Sequence, residues 1–297
     1  MSQDPQPSGL TPRPGAAPLP AGLHFIATPI GAARDITLRA LDILAAADVL
    51  AAEDTRTLRH LMEIHGIALG GRPLMSYHDH NGEAARPRLI AALKDGKSVV
   101  YASEAGTPLV ADPGFQLARA AIAEGLTVLA APGPSALLCA LTVSGLPTDR
   151  FLFAGFLPNT SSARCRALSE VADVPGSIIF YESPKRLGRC LDDMVKMLGG
   201  GRQAAVCREL TKRFEEVVRG TLADLAARFA DRDVKGEIVI VVDRGTLAVA
   251  DAATVEEALM TALATLTVKD AAAQVALKLG LPRRDVYQLA LSLADKS

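Results

Sequence analysis

The chain contains no tryptophan, and aromatic residues make up only 4% of its 297 residues. Apolar residues nevertheless account for 49% of the sequence, a balance expected of alanine-rich helices packed on strands of Val, Ile and Leu. The formal net charge is −1. Because this leaves no overall positive field, any contact with nucleic acid would need a local basic patch.

The sequence also lacks paired cysteines. Cys139, Cys165, Cys190 and Cys207 are scattered and form no Cys-x-x-Cys motif, which excludes a zinc knuckle and a redox-active pair of that type. We expect no metal and reduced, mostly buried thiols in a cytoplasmic protein. His78 and His80 could share one face of a strand, but two histidines without a third ligand make a weak metal site.

No apolar run is long enough to span a bilayer. The N-terminus has no continuous apolar core of the kind found in secretion signals. We therefore expect no membrane association.

The patterning divides the chain into four parts. Residues 1–22 are rich in proline and poor in large apolar side chains, which predicts a disordered tail. Residues 23–145 alternate strand and helix patterns, which predicts an α/β domain with a parallel sheet. In residues 146–245 two predicted strands are joined by a short link and must be antiparallel, which predicts a second α/β domain with a mixed sheet. Residues 250–297 are helical in pattern, with a break at Gly280–Pro282 typical of a helix-turn-helix-like extension.

Three strand-to-helix connections of the first predicted domain are interrupted by proline and glycine. They are Ala27–Gly31, Ser103–Gly114 and Pro132–Ala136. Ligands bind at the carboxyl ends of strands in open α/β sheets, and glycine lets a backbone approach a ligand closely. One such loop could simply end a strand. Three in one domain predict a ligand site.

Short motifs follow one another along residues 23–245. They are Ala27–Gly31, Ala52–Arg56, His78–Asn81, Ala105–Pro108, Asp112–Gly114, Pro132–Ala136, Leu146–Phe151, Gly155–Pro158, Tyr181–Pro184, Arg208–Lys212 and Gly236–Glu237. In this order they resemble the tetrapyrrole-methylase-like (class III) S-adenosylmethionine-dependent methyltransferases, and within them the branch that methylates ribosomal RNA. The helical tail also resembles the C-terminal extension of that branch.

The resemblance implies two α/β domains of the tetrapyrrole-methylase type with S-adenosylmethionine in the cleft between them. It implies 2′-O-methylation of a cytidine in the decoding region of 16S rRNA, with the 30S ribosomal subunit as partner. It also implies a homodimer and no metal.

The same resemblance implies a set of cofactor-binding residues, in which backbone groups of the second loop hold the amino-acid end of the cofactor. The set is Pro29, Gly31, Ser103, Glu104, Ala105, Gly106, Thr107, Pro108, Ser135, Ala136, Tyr181 and Leu210.

A ribose hydroxyl is a poor nucleophile, so a positioned base would help its attack. Glu104 and Glu209 are the first candidates because both follow predicted strands, and Lys185 is a third. A structural ion pair, such as Glu209 with Arg208 or with Lys212, is at least as good an interpretation of each of these residues. The family usually has Asp at the position of Glu104, Asn at that of Ala32 and His at that of Lys185.

Basic side chains are candidates for contact with RNA phosphates. They are Arg56, Arg164, Arg166, Arg186, Lys212, Arg283 and Arg284. A solvated helix face is the alternative interpretation of each.

Two other functions remain open. One is methylation of a tetrapyrrole or corrinoid precursor, and the other is a catalytically silent RNA-binding assembly factor. The helical tail, the motif Ala52–Arg56 and the short loop Glu104–Pro108 favour RNA over a tetrapyrrole. The departures at Glu104, Ala32 and Lys185 are the support for a silent factor.

Overall fold

A computed structural model describes residues 18–245, 252–279 and 281–294. Within these residues the chain forms two compact units, of which the first contains residues 18–143, 207–217 and 236–239 and the second contains the others. Most of the predicted disordered tail, residues 1–17, lies outside the described residues. Gly22, its last residue, already belongs to the first strand.

The first sheet has five strands, and all of its pairings are parallel. The strands are β1 (Gly22–Ile26), β2 (Val49–Ala52), β3 (Leu74–Ser76), β4 (Ser98–Ala102) and β5 (Val128–Ala131). Their order across the sheet is β3-β2-β4-β1-β5. The predicted parallel α/β sheet is therefore confirmed.

Helices cover both faces of this sheet. They are α1 (Leu38–Ala46), α2 (Thr55–Ile64), α3 (Gly82–Lys94) and α4 (Gly114–Ala123). Helix α5 (Ala136–Ser144) follows β5. Alternate residues of β4 point to opposite faces. Val100 belongs to the apolar core formed with Leu44 of α1, whereas Tyr101 belongs to the core formed with Leu117 of α4. Burial on both faces explains why this strand has an unbroken apolar sequence.

The first strand is shorter than its apolar pattern predicts. The apolar run predicts a strand from Leu23 to Ile30, which would overlap the predicted connection Ala27–Gly31, but β1 ends at Ile26. Thr28 instead forms an isolated bridge to Gly106. The prediction was wrong because apolar residues of the following loop, such as Ile30, are also buried.

The second sheet is mixed, as predicted, and its order is β6-β7-β10-β8-β9. Its strands are β6 (Phe151–Phe156), β7 (Ser177–Glu182), β8 (Gln203–Arg208), β9 (Glu216–Thr221) and β10 (Ile238–Val242). The accompanying helices are α6 (Ser161–Val171), α7 (Leu187–Leu198) and α8 (Leu222–Phe229). The sequence pattern predicts one helix over Pro184–Leu198. In the structure Pro184–Arg186 form a 3₁₀ turn, and α7 begins after it.

The C-terminal part is helical, with α9 (Ala252–Leu263), α10 (Val268–Leu279) and α11 (Arg283–Ala294). These helices bury a shared apolar cluster that includes Leu259, Val275 and Val286. Thr267 caps α10, since its hydroxyl accepts a hydrogen bond from the Asp270 amide at 3.3 Å and donates one to the Asp270 carboxylate at 2.7 Å. In the part of the chain that the structure describes, every helix is too short or too polar to cross a membrane.

Candidate functional site

The loops that follow β1 and β4 are held together by hydrogen bonds. The amides of Thr28 and Gly106 each donate to the carbonyl of the other at 3.0 Å. The Thr28 hydroxyl donates to the Ser103 carbonyl at 3.2 Å, and the Ser103 hydroxyl donates to the Gly106 carbonyl at 2.7 Å. Ser103, predicted to bind the cofactor, is thus buried and shapes the loop. The exposed tip consists of Glu104 and Ala105.

The loop that follows β5 joins the other two. The Thr107 hydroxyl donates to the Pro134 carbonyl at 2.8 Å. Gly133 lies so close to Ala27 that an added Cβ would be 2.8 Å from the Ala27 Cβ. The structure therefore brings the three proline- and glycine-containing loops together, as their sequences predict.

Asp112 organises the rest of the β4–α4 loop. Its Oδ1 accepts hydrogen bonds from the Tyr101 hydroxyl at 3.0 Å and from the amides of Gly114 and Leu109 at 2.8 and 3.3 Å. Leu109 and Ala111 have positive φ angles of 69° and 56°, which residues with a side chain rarely adopt. Such backbone strain is typical of functional loops held firmly by their surroundings.

Carboxylates gather at this edge of the sheet. Glu53, directly after β2, accepts a hydrogen bond from the Glu104 amide at 3.4 Å. Burial, followed by the charge of Asp112, raises the pKa of Glu53 above its ordinary value. Burial also raises the pKa of Asp112, and its Oδ2 is buried without a hydrogen-bond partner among the described residues. These groups can accept hydrogen bonds from a ligand or hold a proton.

Glu53 and Asp112 are absent from the site residues predicted from sequence. A signal for Glu53 was present, since it is the first polar residue after a fully buried strand, at the edge where ligands bind.

A fourth segment of the first unit, Arg208–Lys212, packs against the loop after β1. The Ala32 amide donates to the Thr211 hydroxyl at 3.2 Å. A Cβ on Gly31 would lie 2.6 Å from this hydroxyl oxygen and 3.1 Å from the Leu210 carbonyl oxygen. Glycine at position 31 therefore allows the two segments to touch.

Glu209 takes part in an ion-pair network. Lys212 Nζ lies 2.9 Å from Glu209 Oε1 and 2.9 Å from Glu237 Oε2. The hydrogen bond from Lys212 lowers the pKa of Glu209, and Glu209 Oε1 also accepts from the Glu237 amide at 3.1 Å. This geometry favours the ion-pair interpretation of Glu209 over a role as a base. Lys212, a predicted RNA contact, is also occupied by these ion pairs.

The other predicted catalytic residues are exposed. Glu104 is at the tip of the β4–α4 loop, and Lys185 is in the 3₁₀ turn of the second unit.

The remaining predicted cofactor residues differ in accessibility. Pro29, Ser135 and Ala136 are half-buried, whereas Pro108 and Leu210 are buried. Tyr181, in the second unit, packs edge-to-face against Phe153 and Phe156, with ring centroids 4.7 and 5.6 Å apart.

Two of the arginines predicted to contact RNA have structural partners in the second unit. Arg164 is 3% exposed, and its guanidinium lies 2.6 Å from Asp193 Oδ2. This buried ion pair favours a structural role for Arg164 over the predicted contact with RNA, because it leaves little guanidinium surface for a phosphate. Arg186 pairs with the buried carboxylate of Glu182. Arg56, Arg166, Arg283 and Arg284 are exposed.

His78 and His80 have ring centroids 6.0 Å apart. Among the described residues, no group of three or more His, Cys, Asp or Glu side chains is arranged to hold a metal ion.

A parallel sheet with interrupted loops at its carboxyl edge, followed by a mixed sheet, is the architecture of a two-domain methylase. Residues 22–226 match the family model of the Tetrapyrrole (Corrin/Porphyrin) Methylases, and the chain belongs to this family. Residues 249–294 match the model of the RsmI C-terminal HTH domain. The family resemblance of the sequence motifs is thereby confirmed.

Curated relatives are similar along almost the whole chain. The protein named Ribosomal RNA small subunit methyltransferase I from Mesorhizobium japonicum is 48% identical over 283 residues, which cover 95% of each chain. The protein of the same name from Halalkalibacterium halodurans is 40% identical over 278 residues, which cover 90% of this chain and 93% of the relative.

Solved structures show the same fold at low identity. A cobalt precorrin-4 methyltransferase is 18% identical with a TM-score of 0.58, over 79% of this chain and 98% of that chain. Uroporphyrin-III C-methyl transferase from Thermus thermophilus, complexed with S-adenyl homocysteine, is 18% identical with a TM-score of 0.53, over 75% of this chain and 97% of that chain.

Proposed function

We propose that the protein transfers a methyl group from S-adenosylmethionine to the 2′-oxygen of a cytidine in the decoding region of 16S rRNA. The observation that carries the proposal is the 48% identity, over 95% of both chains, to a relative named as a small-subunit rRNA methyltransferase. Its partner is the 30S subunit, and it acts in the cytoplasm as a homodimer.

The loops of the first unit fit a cofactor that ends in an amino-acid group. Side-chain hydrogen bonds from Thr28, Ser103 and Thr107 fix the loops from beneath. The exposed tip, Glu104 and Ala105, offers backbone and carboxylate groups to a ligand, and Gly133 of the loop after β5 is exposed as well. Bound S-adenosylmethionine supplies an electrophilic methyl group on a sulfonium. The loops contribute alignment, which can lower the barrier by roughly 7–11 kcal/mol in favourable cases.

Glu104 is the proposed general base. Its carboxylate is at an exposed tip whose backbone amide is anchored to Glu53. There it can take the proton of a ribose hydroxyl as the 2′-oxygen attacks, which typically contributes about 10²–10⁴-fold. Lys185 is the remaining sequence candidate for proton transfer.

Ribose-methylation mapping of 16S rRNA tests the proposal. A strain that lacks the protein should have an unmethylated decoding-region cytidine, and the wild-type gene should restore methylation. Glu104→Gln should fail to restore it, whereas Glu83→Gln, a matched change of an exposed glutamate on α3, should restore it. A cytidine that stays methylated without the protein would overturn the proposal.

Two further measurements address the alternative functions. Purified protein incubated with S-adenosylmethionine should methylate 30S subunits and leave uroporphyrinogen unmodified. Calorimetry should detect binding of S-adenosylmethionine, and a null result would instead support a silent assembly factor.

A further inference from the structure

The turn that contacts the loop after β1 through Thr211 also carries an exposed aromatic ring. Phe214 is 62% exposed, and the guanidinium carbon of Arg213 lies 5.4 Å from its ring centroid. This distance is within the range of a cation–π contact. The pair presents an aromatic face and a positive charge together.

The turn that carries Phe214 is held firmly. The Lys212 amide donates to the Glu209 carbonyl at 2.9 Å, and the Glu215 amide donates to the Lys212 carbonyl at 3.2 Å. The Thr211 amide donates to Glu215 Oε2 at 2.6 Å. Glu209 and Thr211 have positive φ angles of 52° and 63°. Non-glycine residues keep this conformation only where the surroundings enforce it.

This turn belongs to the candidate site. The Thr211 hydroxyl is bonded to the Ala32 amide, and the Leu210 carbonyl lies against Gly31. Phe214 is therefore three residues from a side chain that contacts a loop of the proposed cofactor site. A firm turn reduces the conformational entropy that the ring would lose on binding.

We infer that Phe214 and Arg213 form a stacking platform for an unpaired nucleobase of the substrate RNA. Proteins hold splayed-out bases by stacking them on aromatic side chains and arginine guanidinium planes. One face of the Phe214 ring contacts Arg213, and the exposed remainder is available to a base. The inference rests on the proposed function for the identity of the RNA.

Steady-state methylation of 30S subunits by the full-length protein tests the role of the aromatic ring. Phe214→Ala should raise KM for 30S subunits by about 5- to 150-fold, the range that base stacking supplies. Phe214→Tyr should retain activity because the ring is kept. Phe214→Leu should behave like Phe214→Ala, and recovery by leucine would overturn stacking in favour of simple apolar contact.

Phe115 on α4 supplies the matched control, since it is 55% exposed. Phe115→Ala should leave KM unchanged. An equal rise in KM for both variants would also overturn the inference, because it would show no special role for position 214.

The absence of tryptophan allows a direct measurement. Phe214→Trp introduces a single tryptophan, whose fluorescence should be quenched when a short cytidine-rich oligoribonucleotide stacks on it. Phe115→Trp should not respond. Unchanged Phe214→Trp fluorescence at saturating oligonucleotide, as judged by a separate binding assay, would overturn the inference.

Sedimentation separates RNA from a second copy of the chain as the occupant. The Phe214→Ala variant should sediment like the wild type, and a change in its oligomeric state would assign the ring to a protein interface instead. Failure of the proposed function gives a different result, because wild-type protein would then not methylate 30S subunits at all.

Discussion

The Ala32 amide donates a hydrogen bond to the Thr211 hydroxyl at 3.2 Å, although 179 residues separate the two in sequence. This bond joins the loop after β1 to a turn with two left-handed residues, Glu209 and Thr211. The geometry makes Thr211 a positioning residue, since it fixes a loop without itself being placed against a reacting atom.

Removal of this hydroxyl should weaken cofactor binding. Thr211→Val keeps the β-branched shape but leaves the half-buried Ala32 amide without its acceptor. A lost hydrogen bond of about 0.5–1.5 kcal/mol corresponds to a rise of about 2- to 10-fold in Kd for S-adenosylmethionine. Calorimetry measures this change. Thr211→Ser, which keeps the hydroxyl, should restore binding, and equal affinities for the valine variant and the wild type would contradict the positioning role.

Local sequence predicted much of the first sheet and the meeting of its loops, because buried strands and glycine–proline interruptions leave local signals. The pattern predicts a helix over Gly82–Lys94 and a strand over Ser98–Ala102, and α3 and β4 have these bounds. Contacts between distant segments left no such signal. The residues around Thr211 do not indicate its contact with Ala32. An ion pair of Glu209, with Arg208 or with Lys212, and a role of Glu209 as a base were interpretations that sequence alone could not separate.

The buried partner of Arg164 is a second distant contact that the sequence did not reveal. It lies one helical turn before Leu168, and both are buried on one face of α6. An arginine in an apolar stripe suggests a buried partner, but Asp193 is 29 residues away. Without the fold, exposure on a solvated helix face was an equally good interpretation.

The Arg164–Asp193 ion pair should be important for stability of the second unit. The two side chains are 3% and 4% exposed. Asp193→Asn should lower the free energy of unfolding by about 3–5 kcal/mol, because it leaves a buried cation without its counterion. Urea denaturation measures the change. Asp192→Asn alters the neighbouring exposed aspartate and should change stability by less than about 0.5 kcal/mol.

The pair also has an expected pH dependence. Burial alone would raise the pKa of Asp193, but hydrogen bonds from Arg164 and Ser161 leave it below the ordinary value of 3.8. Because the pKa of Asp193 is lower in the folded protein than in the unfolded chain, its ionised form stabilises the fold at pH values above the unfolded pKa. This stabilisation is lost as the pH falls through the folded-state pKa. In Asp193→Asn the acid-induced loss of stability below about pH 4 should be smaller, whereas an unchanged acid transition would contradict the assignment.

Asp112 should give the opposite pH dependence. Burial raises the pKa values of Glu53 and Asp112, so the folded protein binds more protons than the unfolded chain at mildly acidic pH. These groups contribute their full stabilisation below their unfolded pKa values of about 4. The contribution falls as the pH rises through their higher folded-state pKa values.

Asp112→Asn tests this cluster with little change of shape. The amide oxygen can still accept hydrogen bonds from Tyr101, Gly114 and Leu109, while the charge that raises the pKa of Glu53 is gone. The decline in stability from about pH 4 to neutrality should become shallower, as measured by urea midpoints across this range. An unchanged slope would contradict the raised pKa of Asp112 in the folded protein. Asp95→Asn, at the exposed end of α3, is the control.

Helix α2 presents a basic groove that should contribute to RNA affinity. The groove has a volume of about 250 Å³ and is lined by Thr55, Arg56, Arg59, His60 and Glu63. Arg56 is bonded to Asp54 at 2.9 Å, whereas the structure records no ion pair for Arg59 within its described residues. The hydrogen bond to Asp54, and to a smaller extent the charge of Glu104, raises the pKa of Arg56.

Arg59→Ala should therefore weaken RNA binding through loss of one phosphate contact. Each neutralised phosphate releases condensed counterions, so the slope of log K against log salt should decrease in magnitude by about 0.7–0.9. The measurement is a salt titration of 16S rRNA binding with full-length protein. Arg119→Ala removes an exposed arginine from α4 and should leave the slope unchanged. Any phosphate contact releases counterions, whatever the sequence of the RNA. If both variants keep the wild-type slope, Arg59 therefore makes no phosphate contact.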